Sequence, residues 1–144
     1  MTKQRPMKIY IAGPYTPATT DSHDAPRLAH RNVVRAIRAG IQVFEKGHIP
    51  FIPHLTHFIH LEMKRHLPAE FYRSYDMVWL RYCDALLYLG HSRGAERELE
   101  YARKRNLKIF RAIEEIRPIR KANMRVVSRS AINKRDINSR ATLS

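Results

Sequence analysis

Residues 7–14, MKIYIAGP, set the fold. Residues 7–12 are apolar and β-branched, and Gly13-Pro14 breaks the run, so this is a buried strand that ends in a turn. The pattern then repeats outward. Residues 15–25, YTPATTDSHDA, are polar and turn-rich and read as a loop long enough to lie over a site. Pro26 suits the first turn of a helix, with Asp24 as a cap. Leu28, Val33, Val34, Ile37, Ile41 and Phe44 recur at helical spacing until Gly47. IPFIP (49–53) is a second strand kept short by its prolines. Residues 54–68 suggest a short helix with loops, and another helix runs from Pro68 to about Cys83. DALLYL (84–89) is a third strand, a helix covers roughly 93–105, and LKIFRA (107–112) is a fourth strand. Strands alternating with helices imply an α/β fold, a flavodoxin- or Rossmann-like three-layer sandwich with a parallel sheet of four to five strands.

The chain has 144 residues, 44% of them hydrophobic, enough for one domain with a real core. Its single cysteine, Cys83, cannot form an intrachain disulfide, which points to a reducing compartment. No apolar run approaches a membrane span, and the basic start leads into a strand rather than a signal peptide, so a cytoplasmic protein is expected. The net charge of +14 would suit a nucleic-acid partner. Half of it sits in residues 117–144, where eight Lys and Arg residues face Asp136 alone. After Pro118 the apolar periodicity fails. The expected organisation is therefore a domain over 1–116 and a basic, poorly ordered tail over 117–144. The tail lacks interleaved aromatics, so it could touch nucleic acid electrostatically, but base stacking is unsupported.

In open parallel sheets ligands bind beyond the carboxyl ends of the strands. Three segments should meet there: Tyr10–Tyr15, Ser92–Glu98, and the helix that carries Asp76. Ser92 can cap a helix whose free N–H groups attract anions, Gly94 lets a ligand approach the backbone, and Glu98 lies on the face shared with Gly94, Ala95 and Ala102. An oriented carboxylate among small residues suits attack on an electrophilic carbon. Tyr72, Asp76, Trp79 and Cys83 form one helical stripe. A carboxyl set among aromatics is partly desolvated and suited to donate a proton. Two carboxyls in unlike surroundings can divide the roles of nucleophile and acid.

KIYIAGPYT, an aspartate eight residues before a strand-opening aspartate (Asp76, Asp84), and S-x-G-A-x-x-E-x-x-x-A together resemble the nucleoside 2-deoxyribosyltransferase group. They also resemble its nucleoside 5′-monophosphate N-glycosidase branch. The resemblance covers about 7–113. It implies that Glu98 is the nucleophile attacking C1′ of the sugar, that Asp76 protonates or holds the base, and that Tyr10 stands beside the nucleophile. Gly13, Pro14, Tyr15, Ser92, Arg93, Gly94 and Ala95 would bind substrate. Ser92 falls where the transferases carry an aspartate and the monophosphate hydrolases a serine, and a neutral donor removes repulsion toward a phosphate. The implied activity is N-glycosidic cleavage of a nucleoside 5′-monophosphate through a glycosyl-Glu98 intermediate. Deoxyribosyl transfer and non-catalytic nucleotide binding are the alternatives, and a homo-oligomer is also implied. Glu100 departs from the glycine common in the family, and the tail matches nothing in it.

Plainer readings compete. Glu98 lies between Glu96 and Glu100 on a charge-rich helix, Tyr10 alternates along a strand that could be plain core, and Asp84 suits a structural role at a strand opening. His54, His57, His60 and His66 tempt a metal-site reading, yet apart from Glu62 no cysteine or carboxylate completes a ligand set. Neither metal nor cofactor is expected. Cys83 reads as a small buried hydrophobe.

Overall fold

The computed structural model describes residues 4–15, 25–65 and 67–119. Four strands, β1 (Lys8–Ala12), β2 (Ile49–Phe51), β3 (Ala85–Tyr88) and β4 (Lys108–Phe110), form one all-parallel sheet in the order β2-β1-β3-β4. Helix α1 (Ala25–Glu45) links β1 to β2. The chain then returns through a 3₁₀ turn (Pro53–Leu55), α2 (Thr56–Glu62) and α3 (Ala69–Leu80) to β3 on the opposite side of β1, and α4 (Arg93–Lys104) leads to β4. The winding direction therefore reverses between β1 and β3, and this reversal opens a crevice at their carboxyl ends.

Side chains alternate across β1. Ile9 and Ile11 pack with Ala36, Ala39, Val43, Ala85, Leu87, Phe110 and Ile116 on one face. Tyr10 and Ala12 pack with Leu80, Cys83, Leu86, Leu99 and Ala102 on the other. Helices cover both faces, as a parallel sheet requires. The strands are one to three residues shorter at their ends than the apolar runs suggest, because Pro53 begins the 3₁₀ turn and Asp84 spends its groups on clamping. Lys8 N–H donates to Asp84 Oδ2 (2.8 Å), and Asp84 N–H donates to Lys8 O (2.8 Å). Asp84 is thus structural, as its position suggested.

Helix α1 differs from its apolar periodicity. Its buried stripe is Val33, Ala36, Ala39, Gly40 and Val43, while Ile41 and Phe44 are each 50% exposed. Close packing explains this, since a Cβ on Gly40 would fall 2.3 Å from Ile52 Cδ1, so small residues must face the sheet. Two helices end on left-handed residues. Gly47 (φ 92°) follows α1 and Asn106 (φ 55°) follows α4, and in each case the next N–H reaches back across the last turn, His48 to Val43 O (3.2 Å) and Leu107 to Ala102 O (2.9 Å). Asp24, the expected cap of α1, lies outside the described residues.

His48 is 1% exposed and joins the two ends of the body. Its Nδ1 accepts Met7 N–H (3.1 Å), so the proton sits on Nε2, which donates to Arg117 O (2.9 Å). Lys46 Nζ donates to Ile116 O (2.9 Å), and Ile119 N–H donates to Lys46 O (2.8 Å). The body therefore continues to residue 119, past the boundary expected at 116. The rest of the expected tail, 120–144, lies outside the described residues. His48→Ala strands a backbone donor and an acceptor and opens a hole, so a loss of roughly 2–4 kcal/mol is expected, read as a lowered melting temperature.

Candidate active site

Strand β1 places Tyr10, fully buried, against α4. Its hydroxyl donates to Glu98 Oε1 at 2.8 Å. Burial pushes the Glu98 carboxyl up to about 8, the Tyr10 hydrogen bond opposes this, and the nearby Asp76 charge adds to it. Asp76, on α3, is pushed up to about 7 by burial, and its Oδ1 is buried without a hydrogen-bond partner. Tyr10 is raised well above its ordinary value by burial first, then by the charges of Glu98 and Asp76. Strand, third helix and fourth helix thus bring Tyr10, Asp76 and Glu98 into one desolvated cluster. Three α4 glutamates separate cleanly in this respect. Glu96 is held below the usual range by hydrogen bonds from Tyr88 and His91, and Glu100 by Lys104, whereas Glu98 alone is raised. Glu98 is therefore not a solvated surface charge like its neighbours.

The N-terminus of α4 faces the crevice between β1 and β3. Ser92 Oγ accepts Ala95 N–H (3.1 Å), which fixes the cap and leaves the hydroxyl proton free to donate outward. Ala95, a candidate ligand contact, donates its N–H to Ser92, and its methyl is 1% exposed in the core. The N–H groups of Arg93 and Gly94 have no acceptor within the helix, so an anion would meet these two. A Cβ on Gly94 would meet nothing nearer than Ser92 Oγ at 3.9 Å, so this glycine leaves its backbone open rather than relieving a clash. Arg93 is exposed. Glu98 lies six residues beyond the cap, about 9 Å along the axis.

The β1 loop closes the crevice from the other side. A Cβ on Gly13 would press on Leu89 Cβ at 3.0 Å, so the loops after β1 and β3 touch here. The carbonyls of Gly13 and Pro14 accept from His54 Nε2 (3.2 and 3.1 Å). His54 is buried, and burial lowers its pKa. Tyr15 is bonded through its hydroxyl to His57 Nδ1 (2.9 Å), and Asn32 Nδ2 donates to Tyr15 O (3.1 Å). His60 meets the Tyr72 hydroxyl at 3.2 Å. These histidines brace the loop and aromatics. Among the described residues no group of three or more His, Cys, Asp or Glu could hold a metal ion, and His66 lies outside those residues. Cys83 is buried, and burial pushes its thiol up to about 11, which makes it inert.

Two features carried no signal in the sequence. Arg35 of α1 donates to Leu89 O (2.6 Å) and so props the loop that leads to Ser92. Phe51 at the end of β2 stacks between Tyr10 (5.6 Å between centroids) and Trp79 (5.5 Å). Neither residue belongs to a motif, and only the strand order places them beside the site.

A family described as "Domain of unknown function (DUF7768)" matches residues 7–112, which span the whole sheet and every residue of this cluster. No match is found among curated proteins.

Proposed function

The chain belongs to this family of unknown function, and from that premise we propose, on the site's own geometry, that it cleaves the N-glycosidic bond of a nucleoside 5′-monophosphate. The observation that carries this reading is the Tyr10–Glu98 hydrogen bond inside a cluster shared with Asp76. The Glu98 carboxylate attacks C1′, the C1′–N bond breaks, and its electron pair stays on the base nitrogen, which takes the proton of neutral Asp76. Water then attacks C1′ and gives a proton to the Asp76 carboxylate, the C1′–O bond to Glu98 breaks with its electron pair on the Glu98 carboxylate, and the sugar 5-phosphate is freed with both acids restored. Tyr10 orients the attacking oxygen. Ser92 and the Arg93 and Gly94 N–H groups hold the 5′-phosphate. No metal or cofactor enters these steps.

The test is incubation of the full chain with ribo- and deoxynucleoside 5′-monophosphates, with free base as the readout. Absence of base release across the set sinks the proposal. Addition of a second base separates hydrolysis from deoxyribosyl transfer. Ser92→Asp keeps the helix cap but sets a carboxylate against the phosphate. It is expected to lower kcat/KM for monophosphates by roughly tenfold or more relative to the corresponding nucleosides.

A second reading, a nucleotide-binding module without turnover, is favoured by one observation. A carboxyl raised to about 8 is mostly protonated at neutral pH and is then a poor nucleophile. Tight binding without base release would decide for it. The resemblance also implies a homo-oligomer, and the exposed Phe71 and Val78 on α3, with Tyr82 in the turn after it, support self-association, which sedimentation can measure. No described helix is long and apolar enough to cross a membrane. A cytoplasmic setting, which suits a reduced Cys83, belongs to the same proposal.

A further inference from the structure

Arg27, Arg31, Arg35 and Arg38 of α1 fall at i, i+4, i+8 and i+11, within about 80° of one another around the helix and over roughly 16 Å of its length. All four are exposed, and they lie opposite the buried stripe of Val33, Ala36, Ala39, Gly40 and Val43. The solvent face of a helix ordinarily mixes the two signs of charge. Helix α4 does so. Glu96 stands in its first turn, Arg103 and Lys104 in its last, and Lys104 pairs with Glu100. Helix α1 does not. Its one acid is Glu45, its last residue, and its first turn has none. Arg27 therefore stands at the positive end of the helix dipole, and Arg27–Arg31 and Arg31–Arg35 are like-charged i,i+4 pairs. Each arrangement weakens the helix by itself. No ion pair joins any of the four arginines to a described residue. Of the four, Arg35 alone has a hydrogen bond among the described residues, to Leu89 O. A line of anions beside the helix would reverse every one of these penalties.

We infer that the solvent face of α1 docks duplex DNA through the phosphates of its backbone. The guanidinium is suited to this partner, because its planar fork binds phosphate bidentately and it is always charged. Three features select the duplex. No Phe, Tyr or Trp lies between Arg27 and Arg38, so the stripe offers no platform for the unpaired bases of a single strand. The buried stripe of α1 is spent on the sheet, which leaves no continuous apolar face to lay into a lipid surface. The two leading turns, 25–32, carry no buried residue. The outer side of this helix end can enter the B-form major groove, about 12 Å wide, whereas the deep, narrow major groove of duplex RNA excludes it. Contacts to phosphate alone fix orientation without reading sequence. Helix α1 covers the sheet face opposite the one that carries Tyr10, so this surface is separate from the acid cluster and independent of the proposed cleavage.

The experiment titrates the full chain into a short fluorescent DNA duplex and follows anisotropy at a series of salt concentrations. One variant combines Arg27→Gln, Arg31→Gln and Arg38→Gln, and Arg35 is kept because it props Leu89 O. Glutamine is a good helix former and the repulsion is gone, so this variant should melt no lower than wild type. A second variant, Arg120→Gln with Lys121→Gln and Arg125→Gln, removes the same charge from the C-terminal stretch. Each lost phosphate contact flattens the slope of log K against log salt by about 0.9, so the α1 variant should lose roughly two to three units of slope and bind roughly tenfold or more weakly at low salt. The C-terminal variant should keep most of its slope. Lysine at the same three α1 positions keeps the charge and should keep the slope. Absence of saturable duplex binding overturns the inference, as does a wild-type slope in the glutamine variant. Equal losses in the two charge-removal variants would reduce the effect to net charge and overturn the stripe. Equal or tighter binding of the component single strand, or capture by phosphatidylserine vesicles that the duplex does not compete away, overturns the choice of partner. A glutamine variant that melts below wild type contradicts the repulsion from which the inference starts.

Discussion

Glu98→Gln is expected to cut base release on the order of 10⁴-fold while leaving nucleotide binding within a fewfold of wild type, because only the covalent step needs the anion. The amide keeps the size of the carboxyl and can still accept the Tyr10 hydroxyl, so the cluster's geometry survives. Parallel binding and turnover measurements check this, and a variant that releases base at the wild-type rate removes Glu98 from the mechanism. The pH profile follows from the same pair. Catalysis needs Glu98 ionised and Asp76 protonated, yet Glu98 is raised to about 8 and Asp76 to about 7. The productive form is then a minority state. The profile of kcat/KM should be a narrow bell with limbs near 7 and 8, values that belong to the coupled pair. Asp76→Asn should leave a much slower reaction whose rate only rises with pH, since the remaining requirement is ionisation of Glu98.

The second large effect is on stability. Both carboxyls bind protons more tightly folded than unfolded, so between about pH 4 and pH 8 the native state holds more protons. Stability must fall as pH rises through that window, with the contribution fully present below the unfolded values. His54 works in the opposite sense. Its lowered pKa means that the unfolded chain gains protons first on acidification, so its contribution is lost below its ordinary range. The melting temperature should therefore peak on the mildly acidic side of neutrality and decline toward pH 8.5. Glu98→Gln removes the larger carboxyl shift. At pH 8.5 it should stabilise the fold by a few kcal/mol, or on the order of 10 °C in melting temperature. Thermal melts of both proteins from pH 4.5 to 9 check this, and identical slopes would mean that Glu98 is solvated in the native state. A variant that is dead yet more stable is the signature of a site that stores unfavourable burial for function.

Strands and helices are readable because β1, β2 and β3 are apolar runs bounded by Gly, Pro or Asp, β4 is the apolar run after α4, and the helices lie between them. The gathering of Tyr10, Asp76 and Glu98 was also readable, since a parallel sheet fixes which ends of which elements converge. What escaped was anything decided by how closely elements approach. The α1 face could not be chosen from its larger apolar residues, because the approach at Gly40 selects alanines. Ala95 shares a motif with Gly94, yet its N–H is spent on the cap bond and its methyl on the core. Phe51 and Arg35 lie far along the chain from the motifs, and only the β2-β1-β3 order sets them beside the site. The histidines have a ligand-like spacing, but loop carbonyls or a tyrosine hydroxyl meet one ring nitrogen of each of His54, His57 and His60.

His48 has a practical corollary for engineering. Because one imidazole grips both Met7 and Arg117, the two ends of the body lie side by side. A short peptide could fuse residue 119 to residue 6, with new termini cut in the polar stretch between α2 and α3. Such a circularly rearranged chain would keep every strand pairing, and the acids would stay where the sheet puts them.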